Sequence, residues 1–116
     1  MTQHVKIHHL SPYSILSFEG IKNLDANSAL RVKAEIKGLL SDKVKNVIVD
    51  LHNIQFIDST GFGALISVLK TIKSRDGKMI LSGVSDEVRE LMDLMQLLSV
   101  FDLSSSLNEA ESQLKP

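Results

Sequence analysis

The segment Asn46-Val47-Ile48-Val49-Asp50-Leu51 constrains the fold of this chain more than any other. It is short, β-branched and almost continuously apolar, so both of its faces must be shielded from water, and a strand of that kind belongs at the centre of a sheet covered by helices. The residues that follow supply a covering helix. Gly61 to Ser74 carries Leu65, Val68, Leu69 and Ile72 at helical spacing, Asp76-Gly77 ends the run, and Met79-Ile80-Leu81 reads as the next strand. Strand, helix and strand in that order predict a right-handed crossover.

The remaining segments extend the same pattern. Val5 to His9 and Tyr13 to Glu19 alternate apolar residues (Val5/Ile7, then Leu16/Phe18) around Ser11-Pro12, which predicts an antiparallel hairpin. Behind the polar stretch Asp25-Ala26-Asn27-Ser28, the spacing of Leu30, Ala34, Ile36, Leu39 and Leu40 predicts a helix from about Ser28 to Leu40. Ser85 caps a further helix with Asp86 and Glu87 in its first turn, where carboxylates suit the positive end of the dipole, and with Val88, Leu91, Met92 and Met95 on its apolar face. Val100-Phe101 reads as a last short edge strand, and Ser106 with Glu109 has the spacing of a capping box for a terminal helix through Leu114. The order β-β-α-β-α-β-α-(β)-α predicts an α/β fold, a mixed sheet of four to five strands with about four helices packed against it, in a single domain over residues 1–116.

Composition narrows the classes of function. The 116 residues, 43% hydrophobic and 23% charged, suffice for one modest core. The chain has no cysteine, which removes disulfides, thiolate nucleophiles and thiolate metal sites and fits a reducing cytoplasm. Met1 to Leu10 carries Lys6 and three histidines with no apolar stretch of signal-peptide type, and no run approaches the length of a membrane span, so the expectation is a cytoplasmic protein without a membrane partner. Thirteen basic residues stand against fourteen acidic ones, scattered rather than gathered into a stripe, which argues against direct contact with nucleic acid.

The loop His52-Asn53-Ile54-Gln55-Phe56-Ile57-Asp58-Ser59-Thr60-Gly61-Phe62-Gly63 follows the central strand, at the carboxyl end where open sheets place their chemistry. Asp58, Ser59 and Thr60 are each suited to the N-cap of the next helix, because their side-chain oxygens accept the free amides of its first turn. The same geometry suits a phosphate on Ser59, which would add about −1.5 to −2 charges beside those amides and the neighbouring Asp58. On a helical wheel of Gly61 to Ser74, Phe62 and Ile66 fall at the margin of the apolar side, near Lys73, which reads either as core or as a partly exposed partner surface next to Ser59. Other chemistries lack support. His4, His8 and His9 lie on a hairpin edge without carboxylates at ligand spacing, so no metal is expected. Gly61-Phe62-Gly63 is a lone GxG with no Walker-type Gly-Lys-Ser/Thr, so no nucleotide cofactor is expected. Asp58 and Ser59 are adjacent and His52 shows no group placed to orient it, so no catalytic residues are assigned and the chain is not expected to be an enzyme.

Val47-Ile48-Val49-Asp50-Leu51 followed by Phe56-Ile57-Asp58-Ser59-Thr60-Gly61-Phe62-Gly63-Ala64-Leu65 resembles the signature of the STAS-domain anti-sigma factor antagonists, and the likeness continues through Gly77-Lys78-Met79-Ile80-Leu81 and Val84 to Leu103. The resemblance implies that Ser59, directly after the aspartate, is a phosphoacceptor. It further implies partner switching: the unmodified protein binds an anti-sigma factor that is also a serine kinase and so frees a sigma factor, phosphorylation reverses this, and a PP2C-type phosphatase resets the switch. Asp25, Asp58, Thr60, Gly61, Phe62, Gly63 and Ile66 are the expected partner-binding residues. Two features depart from the family pattern: Gly20-Ile21-Lys22-Asn23-Leu24-Asp25 is longer than the usual Gly-x-Leu-Asp, and Gln96 stands where glycine is common. Two other readings use the same residues. One is a STAS-like interaction subunit of a larger signalling or lipid-transport complex, in which Ser59 only caps a helix; the other is an enzyme or nucleotide-binding domain built on the same loop.

Overall fold

The computed structural model describes residues 3–114. Its elements are β1 (Val5–His9), β2 (Ser14–Phe18), β3 (Asn23–Leu24), α1 (Ala29–Leu39), β4 (Val47–Asp50), β5 (Phe56–Ile57), α2 (Ser59–Lys73), β6 (Met79–Ser82), α3 (Asp86–Leu94), β7 (Asp102–Ser104) and α4 (Leu107–Leu114). Five strands form the main sheet in the order β1-β2-β4-β6-β7, and β3 with β5 forms a separate two-stranded ladder. The hairpin β1–β2 is antiparallel, with Val5 opposite Phe18, and the other pairs of the main sheet are parallel. This is the mixed sheet and the four-helix complement that the sequence predicts.

Strand β4 lies in the middle, and its alternation explains the continuous apolar run. Val47 and Val49 face a large core shared with Leu16, Phe18, Leu81 and the apolar sides of α1, α2 and α3. Ile48 faces the other way, into a smaller core with Ile80, Tyr13 and the α4 residues Ala110 and Leu114. Successive strand residues point to opposite faces, so a strand covered by helices on both sides has no position left for a polar residue until its end. Helix α4 is fastened to this second face by a hydrogen bond that the Tyr13 hydroxyl donates to the Glu111 carboxylate. No helix among the described residues is long and apolar enough to cross a membrane.

Two details differ from expectation. The buried stripe of α1 is Ala29, Val32 and Ile36, continued by Leu40, whereas Leu30 is 74% exposed and Ala34 also faces outward. Val32 and Ile36 are one turn apart and fix the inward side; Leu30, two residues before Val32, is rotated by roughly 200° to the opposite side. The last strand is Asp102–Ser104 rather than Val100-Phe101. Phe101 is buried beneath the chain and Val100 is partly exposed, and the parallel pairing of Leu81 with Leu103 and Ser82 with Ser104 fixes the strand further along.

Candidate functional site

After β4 the chain turns through Leu51 and Ile54, both buried, and enters β5, which pairs in parallel with β3: Asn23 with Phe56 and Leu24 with Ile57. These two-residue strands carry no sequence pattern of their own, yet they bring the segment after Leu24 against the start of α2. Within that segment Asp25 O accepts the Ser28 and Ala29 amides over 3.0 and 2.7 Å, Asp25 Oδ1 accepts the Asn27 amide over 3.0 Å, and Ser28 Oγ donates to Asn23 O over 2.8 Å. The turn that launches α1 is thereby rigid, and it lies beside the turn that launches α2.

Asp58 joins the two. It is the N-cap of α2, with extended backbone, and its Oδ1 accepts the Gly61 amide over 3.0 Å and the Thr60 hydroxyl over 2.5 Å. Its Oδ2 accepts the Ala26 amide over 3.2 Å, and its own amide donates to Leu24 O over 3.1 Å. The Thr60 hydroxyl is the chief cause, and the Gly61 amide the next, that hold the Asp58 carboxyl below its ordinary pKa; partial desolvation opposes them and the Ala26 and Thr60 amides assist. Asp58 therefore carries its charge at neutral pH. Of the three residues suited to the cap, Asp58 fills the position, and Ser59 is the first helical residue instead. Ser59 is exposed, and its Oγ has no hydrogen-bond partner among the described residues.

The neighbouring residues divide into support and surface. Gly61 is buried where a Cβ would lie 2.1 Å from Leu24 O, so the backbone of β3 occupies the place of a side chain. Gly63 is exposed and has nothing within 4 Å of the Cβ position. Phe62, expected at the margin of the helix, is 1% exposed and belongs to the main core, because β3, β5 and α1 cover the first turn of α2 on the side the wheel leaves open. Ile66 is half-buried, Thr60 is exposed, and Asp25 is half-buried in its turn. The exposed aromatic nearest Ser59 in the chain is Phe56, three residues before it and 43% exposed, which β5 turns outward as it turns Ile57 inward. Leu30 supplies the other apolar projection, at a shallow groove of about 290 Å³ between α1 and α2 lined by Ala26, Ala29, Lys33, Thr60 and Gly63. Leu30 and Phe56 escape the sequence pattern; the signals that locate them are the offset from Val32 and the alternation with Ile57.

The other candidates stay apart. His52 does have an orienting group, Asp50, whose Oδ1 lies 2.7 Å from its Nδ1, but no hydrogen bond connects it to a serine among the described residues. His4 Nδ1 meets Glu19 O and His9 Nδ1 meets Ser14 Oγ, and the described residues contain no cluster of three His, Cys, Asp or Glu side chains able to hold a metal. Gln96, where the family favours glycine, sits just past α3 with φ of 59°, the left-handed conformation in which glycine costs least.

With this geometry in place, residues 7–110 match the STAS domain family, and the chain belongs to it. The anti-sigma-B factor antagonist of Staphylococcus aureus is 27% identical over 74 residues, covering 64% of this chain and 68% of that protein. In fold the chain is similar to an anti-sigma factor antagonist from Mycobacterium paratuberculosis, with a TM-score of 0.82 and 19% identity over 97% of this chain and 93% of the other. It is similar as well to the phosphorylated form of the Bacillus cell fate determinant SpoIIAA, with a TM-score of 0.67 and 18% identity over 96% of this chain and 99% of the other.

Proposed function

We propose that this chain is an anti-sigma factor antagonist that works by partner switching, with Ser59 as the phosphoacceptor. The observation that carries the reading is the state of Ser59: an exposed, unbonded hydroxyl on the first residue of α2, next to the ionised Asp58 and directly before Thr60, which lines the groove that Leu30 borders. The relatives named for anti-sigma factor antagonism, and the solved structure of one in a phosphorylated form, support it. In its unmodified form the chain binds an anti-sigma factor that is a serine kinase, and the sigma factor is released. The docking face consists of Leu30, Phe56, Thr60, Gly63 and Ile66, while Asp25, Asp58, Gly61 and the buried Phe62 hold that face in shape. A PP2C-type phosphatase returns the chain to its binding form. Catalysis belongs to the partners.

Phosphorylation needs no refolding to break such a complex. A phosphate on Ser59 adds about −1.5 to −2 charges beside an existing carboxylate, and a partner that covers this spot must bury like charges together. A penalty of about 2 to 4 kcal/mol lowers affinity roughly thirtyfold to a thousandfold. The test begins with a pull-down on the unphosphorylated chain to isolate the kinase, followed by calorimetric titration of that kinase with two variants. Ser59→Ala keeps its affinity when ATP is present, and Ser59→Asp binds at least about thirtyfold more weakly. Equal affinities for the two variants overturn the switch.

A further inference from the structure

Two adjacent hydroxyls stand exposed at the start of α2, and they are not equivalent. Thr60 Oγ1 donates to Asp58 Oδ1 over 2.5 Å, whereas Ser59 Oγ is without a partner among the described residues. The carboxylate that holds Thr60 is itself pinned, since Oδ1 takes the Gly61 amide over 3.0 Å and Oδ2 the Ala26 amide over 3.2 Å. It cannot follow the threonine hydroxyl outward without giving up the N-cap and the tie to the α1 turn.

We infer that Asp58 is the residue that selects the phosphate acceptor, by sequestering the Thr60 hydroxyl and leaving Ser59 free; the inference rests on the partner-switching reading. In transfer from a nucleoside triphosphate held by the partner kinase, a lone pair on the hydroxyl oxygen forms a bond to the γ-phosphorus. The bond from that phosphorus to the bridging oxygen breaks, the nucleoside diphosphate leaves with the electron pair, and the hydroxyl proton passes to a base on the kinase. Ser59 meets these demands with nothing to surrender. Thr60 must first lose a charge-assisted hydrogen bond, and its product would set a phosphate against the carboxylate that now accepts its proton. The loss of one such bond gives Ser59 a preference of roughly tenfold to a hundredfold. Asp58 is thus a positioning residue, acting on the acceptor through Thr60 and touching none of the reacting atoms.

The experiment uses the full chain, Mg·ATP and the kinase isolated in the pull-down, with the site of phosphate located by fragmentation mass spectrometry. The readout is the ratio of phosphate on Ser59 to phosphate on Thr60 within one sample, which cancels any change in docking. In the unaltered chain the ratio is at least about ten. In Asp58→Asn, which retains an equally good N-cap and an Oδ1 able to accept from Thr60 but loses the charge, the Thr60 bond becomes a neutral one and the ratio falls about fivefold. In the Ser59→Ala background, Asp58→Asn raises phosphate on Thr60 about fivefold by the same weakening of the bond. A second arm needs no kinase: Thr60→Val raises the titration midpoint of the Asp58 carboxyl followed by NMR. Comparable phosphate on both residues of the unaltered chain, or an Asp58 titration untouched by Thr60→Val, overturns the selection and leaves the switch standing. Absence of phosphate from both residues while the kinase binds overturns the selection and the switch together.

Discussion

At the start of α3, Ser85 accepts the Val88 amide over 3.1 Å, and Asp86 and Glu87 place two carboxylates in the first turn. At the start of α2, Asp58 accepts the Gly61 amide over 3.0 Å, and no acidic residue follows in the first turn. Both helices use an oxygen cap on the third amide, but α3 neutralises its positive end with its own residues and α2 leaves that to the cap. The third residue differs as well: Val88 is buried in the core, and the corresponding Gly61 lies against the backbone of Leu24. A helix start that needs nothing further is structural; one whose charge balance is carried by a single clamped carboxylate, next to a free hydroxyl, responds to whatever is added there.

The sharpest way to break this comparison is Gly61→Ala. Its Cβ would meet Leu24 O at 2.1 Å and Ile57 Cγ2 at 2.8 Å, so urea unfolding shows a loss of about 3 kcal/mol, and a smaller loss means that β3 can withdraw. The caps come next. Ser85→Ala costs about 1 kcal/mol, the usual value of a lost N-cap, and Asp58→Ala costs more because it also releases Thr60 and Ala26. Equal losses in the same urea titration show that the clamp adds nothing to the cap. Gly63→Ala acts in the opposite direction: with no atom within 4 Å, the added methyl stabilises the exposed helix by up to about 1 kcal/mol, read as a rise in the urea midpoint.

The smallest effect is in pH. The Asp58 pKa is lowered in the folded chain, by the Thr60 hydroxyl first and the Gly61 amide second, so the unfolded chain binds more protons at this position as acid is added. The stability contributed by its charge is complete above the unfolded value near 3.8 and is lost as pH falls through the lower folded value. The difference between the unaltered chain and Asp58→Asn, measured by urea titration at successive pH values, therefore narrows in acid. The difference for Ser85→Ala, where a hydroxyl is lost, stays flat.

Much of this was legible in the sequence wherever a period is long enough to read. The alternation around Ser11-Pro12, the apolar run of β4, the spacing in α2 and the cap at Ser85 each specify their element locally, and the hairpin, sheet and helices stand where those patterns put them. The position of Ser59 at the opening of a helix was legible too, because few residue types cap helices. What stayed hidden depends on contacts between distant segments. The ladder of Asn23–Leu24 with Phe56–Ile57 is too short for a period, and it decides that Phe62 is buried and Phe56 exposed. The strand Asp102–Ser104 has no β-branched residue to announce it and exists through its register with β6. The tie of the capping carboxylate to the Ala26 amide, 32 positions away from Asp58, is likewise invisible in the local pattern of three neighbouring cap candidates.

The bond between Tyr13 and Glu111 has a consequence of another kind. Tyr13 is the only tyrosine of a chain without tryptophan, and it sits on the α4 side of the sheet, across from α2. Its phenol pKa is raised, by the hydrogen bond to Glu111 first and by desolvation second, so the tyrosinate absorbance band appears at a higher pH than in free tyrosine while α4 is in place. Near-ultraviolet light thus reads the seating of α4 and is blind to Ser59. The single tyrosine is a built-in gauge, independent of the Ser59 site, of whether the far layer of the protein is intact.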